Sequence, residues 1–134
     1  MGQYHYLVNL TKRQYVHPHR VGNGFKLREQ VGWDYSTSTV LVMLLAASNK
    51  GGARGGGDFN SKHPLIGDWA GDRIAFIGDY AEATDIPDFD ATTFRGEDGE
   101  PIGFTDISDE VATMMEDALS IKYSGDGWRD IKEV

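Results

Sequence analysis

Hydrophobic and polar positions alternate with different periods along this 134-residue chain, and each change of period marks an element. Tyr4-His5-Tyr6-Leu7-Val8-Asn9-Leu10 is dense in aromatic and branched residues and predicts a strand. Thr11-Lys12-Arg13 reads as a turn. Gln14 to His17 predicts a second, short strand, stopped by Pro18, which has no N–H to give to a ladder. Gly22-Asn23-Gly24 is a turn, since all three residues tolerate positive φ. Phe25 to Val31 then alternates apolar and polar residues, which predicts a third strand with Phe25, Leu27 and Val31 facing inward, although Lys26 to Val31 also fits a helix. The opening third therefore reads as a small antiparallel meander.

Ser36-Thr37-Ser38-Thr39 offers N-caps ahead of the eight-residue apolar run Val40 to Ala47, whose Met, Leu and Ala favour helix over a buried strand. Asn49, Lys50 and Gly51 suit its C-terminal end. A helix apolar on every face has to be buried, so residues 37–48 are expected at the centre of the core. Arg73 to Ile77 predicts another strand, closed by the turn Gly78-Asp79. Residues 84–100 are acidic and broken by Pro87, Gly96 and Gly99, and read as a long mobile surface loop. Ile102-Gly103-Phe104 reads as a short strand. Asp106 or Ser108 then caps a helix over 107–121, with Ile107, Val111, Met114, Met115, Ala118 and Leu119 on one face. Gly125 and Gly127 are expected to end that helix, and Trp128 and Ile131 to dock the tail on the body.

The pattern amounts to one domain over residues 1–134, of α+β class, with a small antiparallel sheet packed against two helices. Composition narrows the function classes. Fifteen aromatic residues support an ordered core, and the absence of cysteine excludes disulfides and thiolate chemistry. The longest apolar run is far below the ~20 residues that a bilayer crossing needs, and the first residues do not have the pattern of a signal peptide, so a cytoplasmic location is expected. Tyr6 occupies the position at which a myristoylation motif after Gly2 needs Ser or Thr. Net charge is -8, unevenly spread: residues 1–67 hold eight basic and three acidic side chains, and residues 68–134 five basic and 18 acidic ones, so +5 and -13. An acidic second half suits a partner with a basic surface, unless the halves interleave and the fields cancel, and it disfavours direct nucleic-acid binding.

Trp69-Ala70-Gly71-Asp72-Arg73, followed by Gly78-Asp79-Tyr80-Ala81-Glu82, is the part of the chain with a familiar look. With Tyr6 to Lys12 and Thr105 to Ser108 it resembles a family of small uncharacterised bacterial proteins. The resemblance covers scattered parts of most of the chain and implies no catalytic residue.

Several groups of residues invite a chemical reading. Five of the 17 glycines fall within residues 51–57, around Arg54 and before Asp58. Such a loop exposes amides to a phosphate, but a phosphate loop needs Gly-Lys-Ser/Thr and a following helix, and here Pro64 and Gly67 follow. The loop also leaves a helix C-terminus, whose carbonyls repel anions. It fits a flexible connection or a partner contact, with Arg54 and the amides of Gly55, Gly56 and Gly57 in reach. Asp58, His63, Asp68 and Asp72 cluster around Trp69 and contain acid–base chemistry, yet their spacing matches no ligand signature, and turn capping or ion pairing accounts for them equally. His17-Pro18-His19 with His5 lacks the further ligands zinc requires. Acids including Asp88 and Asp90 miss the calcium-loop pattern, with Thr93 and Gly99 at its glycine and glutamate positions. No metal or cofactor is expected. The sequence therefore favours a non-enzymatic protein acting by protein–protein contact, as an inhibitor, immunity-type or accessory factor. Arg54 to Asp58, His63, Trp69, Asp72, Asp88 and Asp90 are the candidate contact residues. A small-ligand or nucleotide-binding protein or weak hydrolase using the glycine loop is the alternative, and homo-oligomerisation is open.

Overall fold

The computed structural model describes residues 2–123 and 127–130. The strands are β1 (His5–Asn9), β2 (Gln14–Val16), β3 (Ile74–Gly78), β4 (Thr105–Asp106), β5 (Ile121–Tyr123) and β6 (Trp128–Asp130), and the helices are α1 (Leu27–Gly32), α2 (Thr37–Leu44) and α3 (Ser108–Leu119). Four strands form one sheet in the order β3-β1-β2-β4, and β5 pairs with β6 in a separate two-stranded ribbon. β1 is antiparallel to both β2 and β3, but β2 and β4 run parallel, so the sheet is mixed rather than purely antiparallel.

The alternation of side chains along a strand divides the core in two. Leu7, Val16, Ile74 and Phe76 face the helices, where they meet Val40, Met43 and Leu44 of α2 and Val111, Met114 and Met115 of α3, with Ile66 and Trp69 filling between. α2 and α3 are the two helices expected from the sequence, and the apolar face of α3 is the one its spacing implies, but α2 ends at Leu44 rather than 48 and leaves Val42 60% exposed, so it is not buried on every face. Asn23, 14 residues before, accepts the Thr37 N–H with its Oδ1 and so caps α2. Ser120 in the left-handed conformation ends α3, ahead of Gly127, while Gly125 lies outside the described residues. Trp128 docks the ribbon, its indole N–H donating to the Val21 carbonyl at 2.8 Å, and Ile131 lies outside the described residues.

Tyr6, Val8, Ala75, Ile77 and Tyr15 face the other way, and the segment expected to be a mobile surface loop covers them. Phe94 is fully buried and Ala91 nearly so, with Ile86, Phe89 and Phe104 packed around them. Phe94 meets Tyr6 and Tyr15 edge-on at 5.8 and 6.1 Å. A Phe side chain buried in an aromatic cluster contributes more than the acids beside it gain from being mobile, so composition misjudged this stretch. The segment forms a layer of irregular chain, with a turn at Ala91–Thr93 and isolated bridges at Ile86–Phe89 and Arg95–Pro101. Ile102 to Phe104 is not a strand; pairing begins at Thr105.

The third expected strand is also corrected. Residues 27–32 are helical, and the helix is turned with its polar side inward. Gln30 is buried and donates from its amide nitrogen to the carbonyls of His5 and Phe25, both at 2.9 Å, whereas Leu27 and Val31 face solvent at 45% and 71% exposure. The His5 carbonyl at the start of β1 takes its donor from Gln30, which also reaches the Phe25 carbonyl that the His5 N–H already bonds, and that pairing orients the helix.

Candidate functional site

The described concavities gather at one end of the sheet, where β1 begins and β3 ends. Tyr4 stands between two of them. Its N–H donates to Asp79 Oδ1 at 2.9 Å, the Asp79 N–H returns a bond to the Tyr4 carbonyl at 3.1 Å, and Arg95 Nη2 donates to that same carbonyl at 2.7 Å. On one side lies an apolar hollow of about 640 Å³ between Tyr4, His19, Phe25, Lys26, Glu29 and Trp33. On the other lies a polar hollow of about 390 Å³ between Asp79, Ala91, Thr92, Arg95 and Glu97, with Gly78, Gly96 and Gly99 in its wall.

Arg95 organises the polar side. Besides the Tyr4 carbonyl it reaches those of Ile77 at 3.3 Å and Gly99 at 3.2 Å, and its guanidinium lies over the Tyr6 ring at 4.6 Å. Among the described residues no carboxylate lies within 4.0 Å of it, and its Nε is buried without a partner. A guanidinium spent on backbone carbonyls acts as a clamp between sheet and irregular layer, more than as an anion receptor. Burial pushes the Tyr6 hydroxyl up to about 12, so it stays a neutral group beneath that clamp.

The apolar side is built on aromatic stacking. Phe25 lies 4.4 Å from the His19 ring, 4.9 Å from His17 and 5.1 Å from Tyr6. Burial lowers the pKa of His17, and a charge on neighbouring His19 would lower it further; burial likewise lowers that of His5. His5, His17 and His19 serve here as packed rings, and among the described residues no group of three or more His, Asp or Glu side chains could hold a metal ion.

The residues singled out from the sequence lie elsewhere and are not brought together. Arg54, Gly55, Gly56, Gly57 and Asp58 are exposed in the glycine loop. Two of its amides are already engaged: Asp58 Oδ2 accepts the N–H of Arg54 at 2.8 Å and of Gly55 at 3.1 Å, which lowers the Asp58 pKa and places a carboxylate against the loop where a phosphate would have to approach. His63 is half-buried, with Nδ1 accepting the Leu65 N–H at 3.2 Å. Its neighbour Ser61 donates its hydroxyl to Asp117 directly, with no imidazole between them to act as a base. Trp69 is fully buried and its indole N–H bonds Gln14 Oε1 at 2.9 Å, a core role. Asp72 is held by Lys12 and Asn9, whose hydrogen bonds lower its pKa, and Asp68 by Lys50. Asp90 accepts the Thr92 N–H and starts the turn that seats Ala91, while Asp88 sits exposed at φ 61°.

Sequence reasoning passed over Tyr4, Phe25, Trp33 and Arg95. The aromatic excess near the N-terminus was a signal for the first three; nothing local marks Arg95, whose partners lie 4, 18 and 91 positions away. No described helix is long and apolar enough to cross a membrane. No protein-family model matches the chain, and comparison with curated proteins and with solved structures gave no match.

Proposed function

We propose that the protein acts by binding another protein, as an inhibitor, an immunity-type factor or an accessory subunit. The observation that carries this reading is the turned helix α1. Leu27 and Val31, four residues apart, are exposed on α1, and Trp33 and Tyr4, 49% and 44% exposed, line the apolar hollow together with Phe25. Aromatic residues lining a hollow beside Lys26 and Glu29, with two exposed branched residues on the same helix, have the composition of an interface centre with a polar rim. Ordinary folding offers no reason to leave them open, since the buried side of α1 is occupied by Gln30. The acidic surface of the second half suits a partner with a basic face.

The test pairs partner capture with light scattering. The wild-type chain should retain a stoichiometric partner from its native host at moderate salt, and Val31→Asp with Trp33→Ala should lose it while keeping the wild-type melting temperature within about 2 °C, as surface changes do. Equal retention by both proteins, or no stoichiometric partner at all, sinks the reading. A dimer that the double variant abolishes reassigns the patch to self-association.

A further inference from the structure

We propose that the open edge of β3 receives, by strand addition, an extended segment of a partner protein rich in lysine and arginine. The inference rests on the contact reading above and names a mode and a chemistry for it.

β3 lies at one margin of the sheet. Its bonds to β1 set the direction of each backbone group. The Leu10 N–H donates to the Arg73 carbonyl at 2.8 Å and the Asp79 N–H to the Tyr4 carbonyl at 3.1 Å. In the register Asn9↔Ile74 and Leu7↔Phe76, hydrogen-bonded pairs therefore fall on residues 73, 75, 77 and 79. Ile74 and Phe76 turn both N–H and C=O away from β1. Among the described residues, none of these four groups has a hydrogen-bond partner. Donors and acceptors unpaired at alternate residues are a template for another strand.

Natural edges are ordinarily blunted by lysine, proline, a bulge or brevity. The other margin, β4, is two residues long and contains Asp106. Ile74-Ala75-Phe76-Ile77-Gly78 contains no charge and no proline, and all five residues pair in unbroken register with β1. A slot of about 250 Å³ adjoins it, with Ala75, Ile77, Ala81, Ile86 and Ala91 as apolar wall and Asp85 as the charge at its rim. His5, only 9% exposed, lines the same slot, and among the described residues its Nδ1 has no hydrogen-bond partner.

Charge selects the occupant. Residues 73–100 contain eight acidic side chains and two arginines. Those arginines are engaged with carbonyls, Arg73 with that of Pro87 and Arg95 with those of Tyr4, Ile77 and Gly99. A basic strand approaching this margin is attracted, whereas a second copy of the chain brings two acidic margins together.

The probe is a capped seven-residue peptide alternating lysine and valine, titrated into the full chain while NMR follows the backbone amides. Saturable one-to-one binding is expected, with Ile74 and Phe76 the most shifted and newly protected from exchange. The same peptide N-methylated at the residues that face the edge keeps its charge but cannot form the ladder, and should bind at least tenfold more weakly. Glu82→Gln with Asp85→Asn should weaken binding at least threefold and flatten its salt dependence. Ile74→Pro removes an outward N–H and should also weaken binding tenfold; if it unfolds, the N-methylated peptide asks the same question of unaltered protein. No binding at millimolar peptide, equal binding of the N-methylated peptide, shifts centred elsewhere, or a dimer in which Ile74 and Phe76 are already protected overturns strand addition. A captured partner that survives Ile74→Pro overturns it too and leaves the contact reading standing. Peptide binding with no captured partner sinks the α1 patch and leaves the β3 edge.

Discussion

The glycine-rich loop 51–58 and the acidic segment 84–104 both lack regular secondary structure, yet the first lies open to solvent and the second roofs one face of the sheet. In the first, a Cβ added at Gly51, Gly55, Gly56 or Gly57 would meet nothing within 4 Å, and the loop is held at its base, where Asn49 exchanges hydrogen bonds with the Phe59 backbone at 2.7 and 3.0 Å. In the second, Phe89, Phe94 and Phe104 anchor the chain to Tyr6 and Tyr15, and Arg95 ties it to both strands of the β1–β3 pair at the end where β1 begins and β3 ends. Glycine density and acidity both signal solvent. What separates the two stretches is a few aromatic residues and whether the sheet offers an uncovered face for them.

The largest test of that contrast is Phe94→Ala. Truncating a fully buried phenylalanine should cost about 3–5 kcal/mol, read as a fall in the urea midpoint at constant slope. A loss below about 1 kcal/mol would mean that the acidic segment does not pack. Next is Arg95→Met, which leaves three carbonyls without this donor; about 2 kcal/mol should be lost, with faster amide exchange at Tyr4 and Ile77. Acid should weaken the packed side of the molecule. Folding lowers the affinity of His5 and His17 for protons, so the unfolded chain binds more of them near its pKa of about 6.5. Their contribution to stability is complete above that pH and is lost as pH falls toward the folded values. Urea unfolding at pH 7.5 and 5.5 should show the decline, and His17→Gln should reduce it; a pH-independent midpoint would contradict the burial of these rings. The smallest effects belong to the glycine loop. Gly55→Ala and Gly56→Ala should change stability by no more than about 0.5–1 kcal/mol, in the stabilising direction if at all, while Gly57→Ala, at φ 89°, should cost about 1 kcal/mol by calorimetry. A large loss at Gly55 or Gly56 would show that something does pack on this loop.

β1, β3, α2 and α3 were legible because their periodicity is local: Leu7 and Val8 both have a core to enter, and α3 repeats its apolar positions on one face. α1 was not, because its orientation depends on the carbonyls of His5 and Phe25, which only the folded chain places beside Gln30. The candidate site was less legible still. Of the residues singled out from the sequence, Trp69 turned out to be core and Asp72 an ion-pair partner, both satisfied within the fold. The hollows around Tyr4 assemble from positions 4, 25, 33, 79 and 95, and no spacing rule joins them.

By itself, then, the amino-acid sequence determined the α+β class, the strands with a clear period, the two apolar helices and the acidic bias of the second half, because each is a property of neighbouring residues or of a sum over them. Only the tertiary structure decided which face of α1 looks outward, that an acidic irregular segment is a packed layer, and that β3 is left as an unpaired edge. Those outcomes depend on where backbone hydrogen bonds are still missing once the sheet has formed, and that quantity exists only after distant parts of the chain have met.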